Sequence, residues 1–399
     1  MSHLTYDSTD MKNIPFYLLA LLLFILSGCI EEFEADIPAE DSDLLVVEGT
    51  ICSDQMNTFI LSRTQAVNSS YAPRMVAGAV VSVRGTDGSE YRAQATDDYY
   101  ACWSDALNPD VGYYRHIESD GEVYESDPQK PLSTEQIAEV RGVQNTPESN
   151  IDVLVTPDAP SEPDQVNYYS WTYDETWEVH SDYTTTVYYD TELLDAVIKP
   201  NQFPWRGWKD RTSSTIMVGG SSNYEGQHIR NLKLYDLDRG DERMYIRYSG
   251  LIHQRAITKA EYEYELARRQ AGSEMGGLFT PQPSSLPTNI HCLTSSKHVI
   301  GFVGCALNTS EYRFFLDATD FSVRLPVHDD ARQWLKNPSS DECLRMVARG
   351  MFLCEWTTSG IDGSLQTAWA YEKQLDVRYK GAYIERPDFW QEKEENSEE

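Results

Sequence analysis

The chain has no Cys-x-x-Cys pair, no His-Glu-x-x-His, no Gly-x-Ser-x-Gly and no phosphate-cradling glycine loop. Zinc ribbons, zincins, α/β-hydrolases, P-loop enzymes and dinucleotide-binding enzymes each depend on one of these arrangements. None of the eight histidines stands at recognisable ligand spacing from another, which speaks against a metal site. Basic charge is also scarce: 33 Lys and Arg face 64 Asp and Glu, a formal net charge of -31. Phosphate backbones and anionic lipid headgroups both need concentrated cations, so neither nucleic acid nor an anionic bilayer surface fits as an electrostatic partner. Nor does any apolar run reach the roughly 20 residues that a membrane-crossing helix requires.

One shorter run is present. Phe16 to Leu26 is apolar throughout, follows Lys12, and ends in Ser27-Gly28-Cys29. A basic flank, a short apolar stretch and small residues before a cut describe a secretory signal peptide over residues 1–28, with Met11 the better start. Leu26-Ser27-Gly28-Cys29 resembles the bacterial lipobox, in which only a thiol at the last position can take the lipid thioether. Lipidation of Cys29 is therefore expected, and two or more acyl chains hold a protein firmly to a membrane. Glu31, Glu32, Glu34, Asp36, Glu40, Asp41 and Asp43 make residues 29–43 an acidic tether.

The body beyond reads as mainly β. Leu44 to Thr50, Asn57 to Arg63, Val76 to Arg84, Glu90 to Ala95, Gly112 to Ile117 and Glu122 to Ser126 are short strand candidates. Gly85-Thr86-Asp87-Gly88 and Asp120-Gly121 separate them as turns. The pattern predicts an antiparallel, Ig-like β-sandwich over residues 44–127. Residues 128–165 read as a linker, with a brief helix over Pro131 to Val140 and an apolar patch from Ile151 to Val155. A larger β-rich domain follows over 166–335, then a mixed section over 336–390 and an acidic tail over 391–399. One longer helix is expected from Lys259 to Arg269, where Thr258 and Glu261 form a possible capping box. The three prolines of Pro281 to Pro287 impose an extended loop.

Setting Cys29 aside leaves Cys52, Cys102, Cys292, Cys305, Cys343 and Cys354. An even number in an oxidising compartment predicts three disulfides, with many pairings possible. Proximity along the chain favours Cys52–Cys102, Cys292–Cys305 and Cys343–Cys354.

Aromatic residues supply the candidate binding site. Tyr169, Trp171, Tyr173 and Trp177 share one face of an alternating strand, interrupted by Glu175. They can pack a core, or stack on a sugar or anchor a partner. Trp205 and Trp208, beside Pro204 and Gly207, read as loop residues with more chance of exposure. Asp236, Asp238 and Asp241 resemble the opening of a calcium loop, but Gly240 comes one residue early and the distal glutamate is misplaced. A plain Asp/Gly hairpin is the better reading there, and no cofactor is expected. A glycosidase needs only two suitably separated carboxylates, and 64 acidic residues supply such pairs by chance.

Several segments, in this order, resemble the DUF4249 family, an uncharacterised group of Bacteroidetes lipoproteins. They are Leu45-Val46-Val47-Glu48-Gly49, Gly78-Ala79-Val80-Val81, Gly112-Tyr113 through Asp120-Gly121, Tyr169 to Trp177, Glu261-Tyr262, Gly301-Phe302 and Pro387-Asp388-Phe389-Trp390. Cys292 departs from the commoner local pattern. The resemblance implies a first domain similar to the carboxypeptidase-regulatory-like extensions of TonB-dependent transporters. It also implies an outer-membrane location with such a transporter as partner, and it brings no catalytic residues. The acidic stretch after Cys29 resembles the signal that exports such lipoproteins to the outer leaflet, so cell-surface exposure is expected. The reading is a non-catalytic surface lipoprotein assisting nutrient uptake through such a transporter. An independent glycan or peptide binder, or a structural or adhesion protein, stands as the alternative.

Overall fold

The computed structural model describes residues 43–64, 74–161, 164–273, 286–326 and 329–393. The expected signal peptide, Cys29, the tether as far as residue 42, loop residues 281–285 and the tail from residue 394 lie outside the described residues. Among the described residues no helix is long and apolar enough to cross a membrane.

The body is mainly β, built from several sheets with a few short helices. Two sheets form the first sandwich. One runs, in spatial order, Val299–Gly301, Leu45–Glu48, Gln55–Arg63, Tyr100–Ser104 and Gln94–Ala95, with Arg74–Met75 pairing beside Gln55–Arg63. The other runs Ile290–Cys292, Glu122–Ser126, Tyr113–Ser119, Val80–Gly85 and Glu90–Arg92. Alternate residues turn inward, and Leu45, Val47, Phe59, Leu61, Val81, Val83, Ile117 and Tyr124 share one core.

The expected span of 44–127 is therefore incomplete. Ile290–Cys292 and Val299–Gly301 return from far along the chain to close one edge of each sheet. Leu45 pairs with Val299 in parallel register, which covers hydrogen-bonding groups that an open edge would expose. Gly301 makes that approach possible. Its φ of 139° suits glycine, and a Cβ there would lie 2.2 Å from the Val47 carbonyl oxygen.

The second sandwich packs a three-stranded sheet against a larger one. Ile137–Val143, Ile151–Pro157 and Leu232–Leu237 form the first. Arg206–Thr212, Tyr168–His180, Arg247–Ile257 and Ser310–Asp317 form the second, with Met217–Gly220 pairing alongside Tyr168–His180. The brief helix expected over Pro131 to Val140 is a strand instead, starting at Ile137. The apolar patch at Ile151 is the central strand of its sheet. Ile151, Val153 and Val155 point into the core, where each contributes about 1.5–3 kcal/mol by burial. Such a period-two pattern needs a partner sheet, and tertiary pairing overrode the weak helical propensity before it.

Lys259–Ser273 is the expected longer helix, and the backbone N–H of Glu261 donates to Thr258 Oγ1 at 3.2 Å. The Glu261 carboxylate pairs with Arg255 rather than closing the box. A further three-stranded sheet, Gln333–Lys336, Leu365–Tyr371 and Met351–Thr358, lies beside the helix Ser340–Ala348. Its core joins Cys343, Met346, Met351, Leu353 and Trp369 to Tyr189, which the hairpin Val187–Asp190/Asp195–Ile198 carries across from the expected second domain.

No disulfide is present among the six described cysteines, which corrects the expectation of three. Cys102 lies opposite Asn57, Cys52 opposite Ala306, and Cys292 opposite Tyr124. Cys343 and Cys354 sit in separate core clusters. Closeness along the chain does not align thiols when strand direction and side-chain alternation point them elsewhere.

Candidate functional site

At the end of Tyr168–His180 the chain leaves the second sandwich and meets the C-terminal sheet. A cleft of about 330 Å³ opens at this seam. One wall is built by His180 to Thr184 and Trp205, the other by Arg332, Cys354 and Glu355.

The first wall follows from strand pairing. His180 lies opposite Arg206 in the register of Tyr168–His180 with Arg206–Thr212, which brings Trp205 beside it. The Ser181 N–H donates to the Trp205 carbonyl at 2.8 Å, and the His180 and Trp205 rings meet edge to face at 4.8 Å. His180 Nε2 lies 2.6 Å from Glu178 Oε1. Arg206 donates to both Glu178 oxygens at 2.7 and 2.8 Å. Burial alone would raise the Glu178 pKa, but the bonds from His180 and Arg206 prevail and hold it below the ordinary glutamate value.

Across the cleft, all three guanidinium nitrogens of Arg332 donate to carboxylates. Its Nε and Nη2 donate to the two Asp330 oxygens at 2.8 and 2.9 Å, and its Nη1 donates to Glu355 at 2.8 Å. The guanidinium lies between the rings of Tyr183 and Trp334, at 4.7 and 4.8 Å from their centroids. The Tyr183 hydroxyl donates to Asp330 at 3.1 Å, tying the two walls together. Asp182 pairs with Lys380 at 2.7 Å. Cys354 lies at the buried base of the cleft, where desolvation pushes its thiol up to about 12. The thiolate, the nucleophilic form, is therefore scarce at neutral pH.

Of the five aromatic candidates only Trp205 lines this cleft, with 38% of its surface exposed. Trp208 does not lie in a loop. It belongs to Arg206–Thr212, is 4% exposed, and packs edge to face against Trp390. Trp171, Trp177 and Tyr173 turn into the second sandwich. There the Trp171 indole donates to Gln254 at 2.8 Å and Tyr173 stacks on Tyr235 at 4.0 Å. Glu175 shares their face, fully buried, taking charge-assisted bonds from Arg211 and Arg243 and a hydrogen bond from the Tyr248 hydroxyl at 2.9 Å.

The calcium candidates hold separate partners. Asp236 binds Asn150 and Lys233, Asp238 accepts the Gly240 N–H, and Asp241 binds Arg243. Among the described residues no three acidic, His or Cys side chains are grouped to hold a metal ion.

Sequence reasoning missed His180, Asp182, Arg332 and Glu355 as cleft residues. No motif marks them, because three distant segments supply them. Trp205 was reachable through its flanking Pro204 and Gly207.

The fold and cleft define a multi-sheet β protein with a small polar recess at a sheet junction. The chain belongs to the DUF4249 family, a domain of unknown function, whose match covers residues 30–312. Pro387 to Trp390 and the second wall of the cleft lie beyond that match. No curated protein matches the chain.

Proposed function

We propose that this protein is a non-catalytic, lipid-anchored capture protein of the outer-membrane surface that delivers a ligand to a TonB-dependent transporter. The observation that carries the reading is the open cleft with the partly exposed Trp205 on its wall. An aromatic ring held by neighbours and ringed by hydrogen-bonding groups is suited to binding and orienting a ligand. The Ser27-Gly28-Cys29 sequence and the acidic residues after it support the anchor and its outward placement. The first sandwich fits a role similar to the carboxypeptidase-regulatory-like extensions of these transporters. The engaged state of Arg332 and the protonated thiol of Cys354 favour holding over turnover.

The test is a tagged pull-down from native outer membranes in mild detergent, followed by mass spectrometry. A co-purifying β-barrel transporter is the expected result. Recovery of the protein alone, with ligand binding intact, would instead make it an independent binder.

A further inference from the structure

The charges around the cleft are already matched within the protein. Arg332, the cation in its lining, is ion-paired with both Asp330 and Glu355. Asp182 is compensated by Lys380, and Glu178 behind His180 by Arg206. An anionic ligand would find no uncommitted cation here and would meet the carboxylates of Asp182 and Glu355. The chain's net charge of -31 adds repulsion at longer range. A cationic ligand would have to compete with Arg332 and Lys380 for the same carboxylates. Paired carboxylates keep spare lone pairs, however, so they still accept hydrogen bonds from neutral hydroxyl groups.

Trp205 supplies the other half of the chemistry. Its ring meets the His180 ring edge to face at 4.8 Å, and 38% of the residue remains exposed to solvent. A flat apolar face beside acceptors suits a molecule with one C–H face and a rim of hydroxyls. The volume of about 330 Å³ lies at the small end of ligand pockets, which favours a ring or two over a folded peptide segment.

We propose that the cleft binds a neutral sugar, with a pyranose ring stacked on Trp205 and its hydroxyls hydrogen-bonded to Asp182 and Glu355. This assignment rests on the capture reading and narrows its ligand class. It also gives the C-terminal section a role, because Arg332 and Glu355 lie outside the family match yet form the wall that selects for neutrality.

The experiment presents the full-length protein, extracted in mild detergent, to arrays of neutral hexose oligosaccharides, uronic-acid oligosaccharides and peptides. Neutral glycans should bind, and the acidic sugars and peptides should not. Trp205→Ala should weaken the neutral binding about tenfold, whereas Trp205→Phe should retain most of it. Thermal melting of both variants establishes that they fold. Trp205-dependent binding confined to acidic sugars or to peptides overturns the neutral-sugar assignment and leaves the capture reading standing. Absence of Trp205-dependent binding in every class overturns both. A transporter missing from the pull-down, with neutral glycans still bound, removes the delivery role alone.

Discussion

His180 and Trp205 meet edge to face, with ring centroids 4.8 Å apart and planes inclined at 67°. Glu178 fixes His180 from behind, so the indole is positioned by a chain of contacts that begins in the sheet. Removing the imidazole should loosen the ring without unfolding the strand. His180→Ala is expected to reduce affinity for the best array ligand by about two- to tenfold, the value of one aromatic pair. Titration calorimetry reads this directly, and unchanged affinity would show that His180 does not position Trp205.

Glu175 provides a second test, of stability rather than binding. Its carboxylate is fully buried, while Arg243 is nearly so and Arg211 is half exposed. Glu175→Ala would remove one of the two carboxylates that hold the Arg243 cation, leaving it Asp241, and one of the two partners of the Tyr248 hydroxyl, leaving it Tyr235. Loss of hydrogen bonds to a charged group costs about 1.5–3 kcal/mol. Arg211 can turn its charge to water, so most of the loss belongs to Arg243. Urea unfolding should show the fall, and a change below about 1 kcal/mol would contradict it.

Acid sensitivity should arise in part at Glu178. Its folded pKa is lowered, since the bonds from His180 and Arg206 outweigh the burial that raises it. A depressed carboxylate pKa stabilises the fold above the unfolded value, near 4.5, and that contribution disappears as pH falls through the folded pKa. Glu178→Gln should therefore lose stability at neutral pH while showing a shallower decline below about pH 4.5. Urea midpoints measured from neutral to acid pH decide this, and parallel curves for both proteins would refute it.

Thiol chemistry distinguishes the observed cysteines from a disulfide framework. Cys52, Cys102, Cys305, Cys343 and Cys354 are buried, while Cys292 is partly exposed. Burial tends to raise the Cys292 pKa, but hydrogen bonds from Ser295 and Thr294 prevail and lower it. In the native protein a maleimide should label Cys292 first, and all six should react after denaturation without reductant. Fewer than six labelled thiols would reveal a disulfide.

The strand-rich character was legible because alternation is a local signal. Ile151, Val153 and Val155 show it clearly, although their assignment to a linker hid the sheet they complete. Tyr169, Trp171 and Tyr173 were legible as one face, but whether that face was core or surface depended on a sheet whose edge strand, Leu232–Leu237, lies far along the chain. Trp208 was misplaced because Pro204 and Gly207 suggest a loop. The distant Tyr383 and Trp390 instead pair with and cover its strand.

The amino-acid sequence alone carried the acidic charge, the expectation of secretion and lipidation, the run of short strands and the capped helix at Thr258. Each depends on composition or on residues within a few positions of one another. Tertiary structure decided that Leu45 would pair with Val299, that the six described cysteines would form no disulfide, and that Trp205 would share a cleft with Arg332 and Glu355. Those outcomes depend on which sheet faces bury one another, and that balance is set by the whole chain at once.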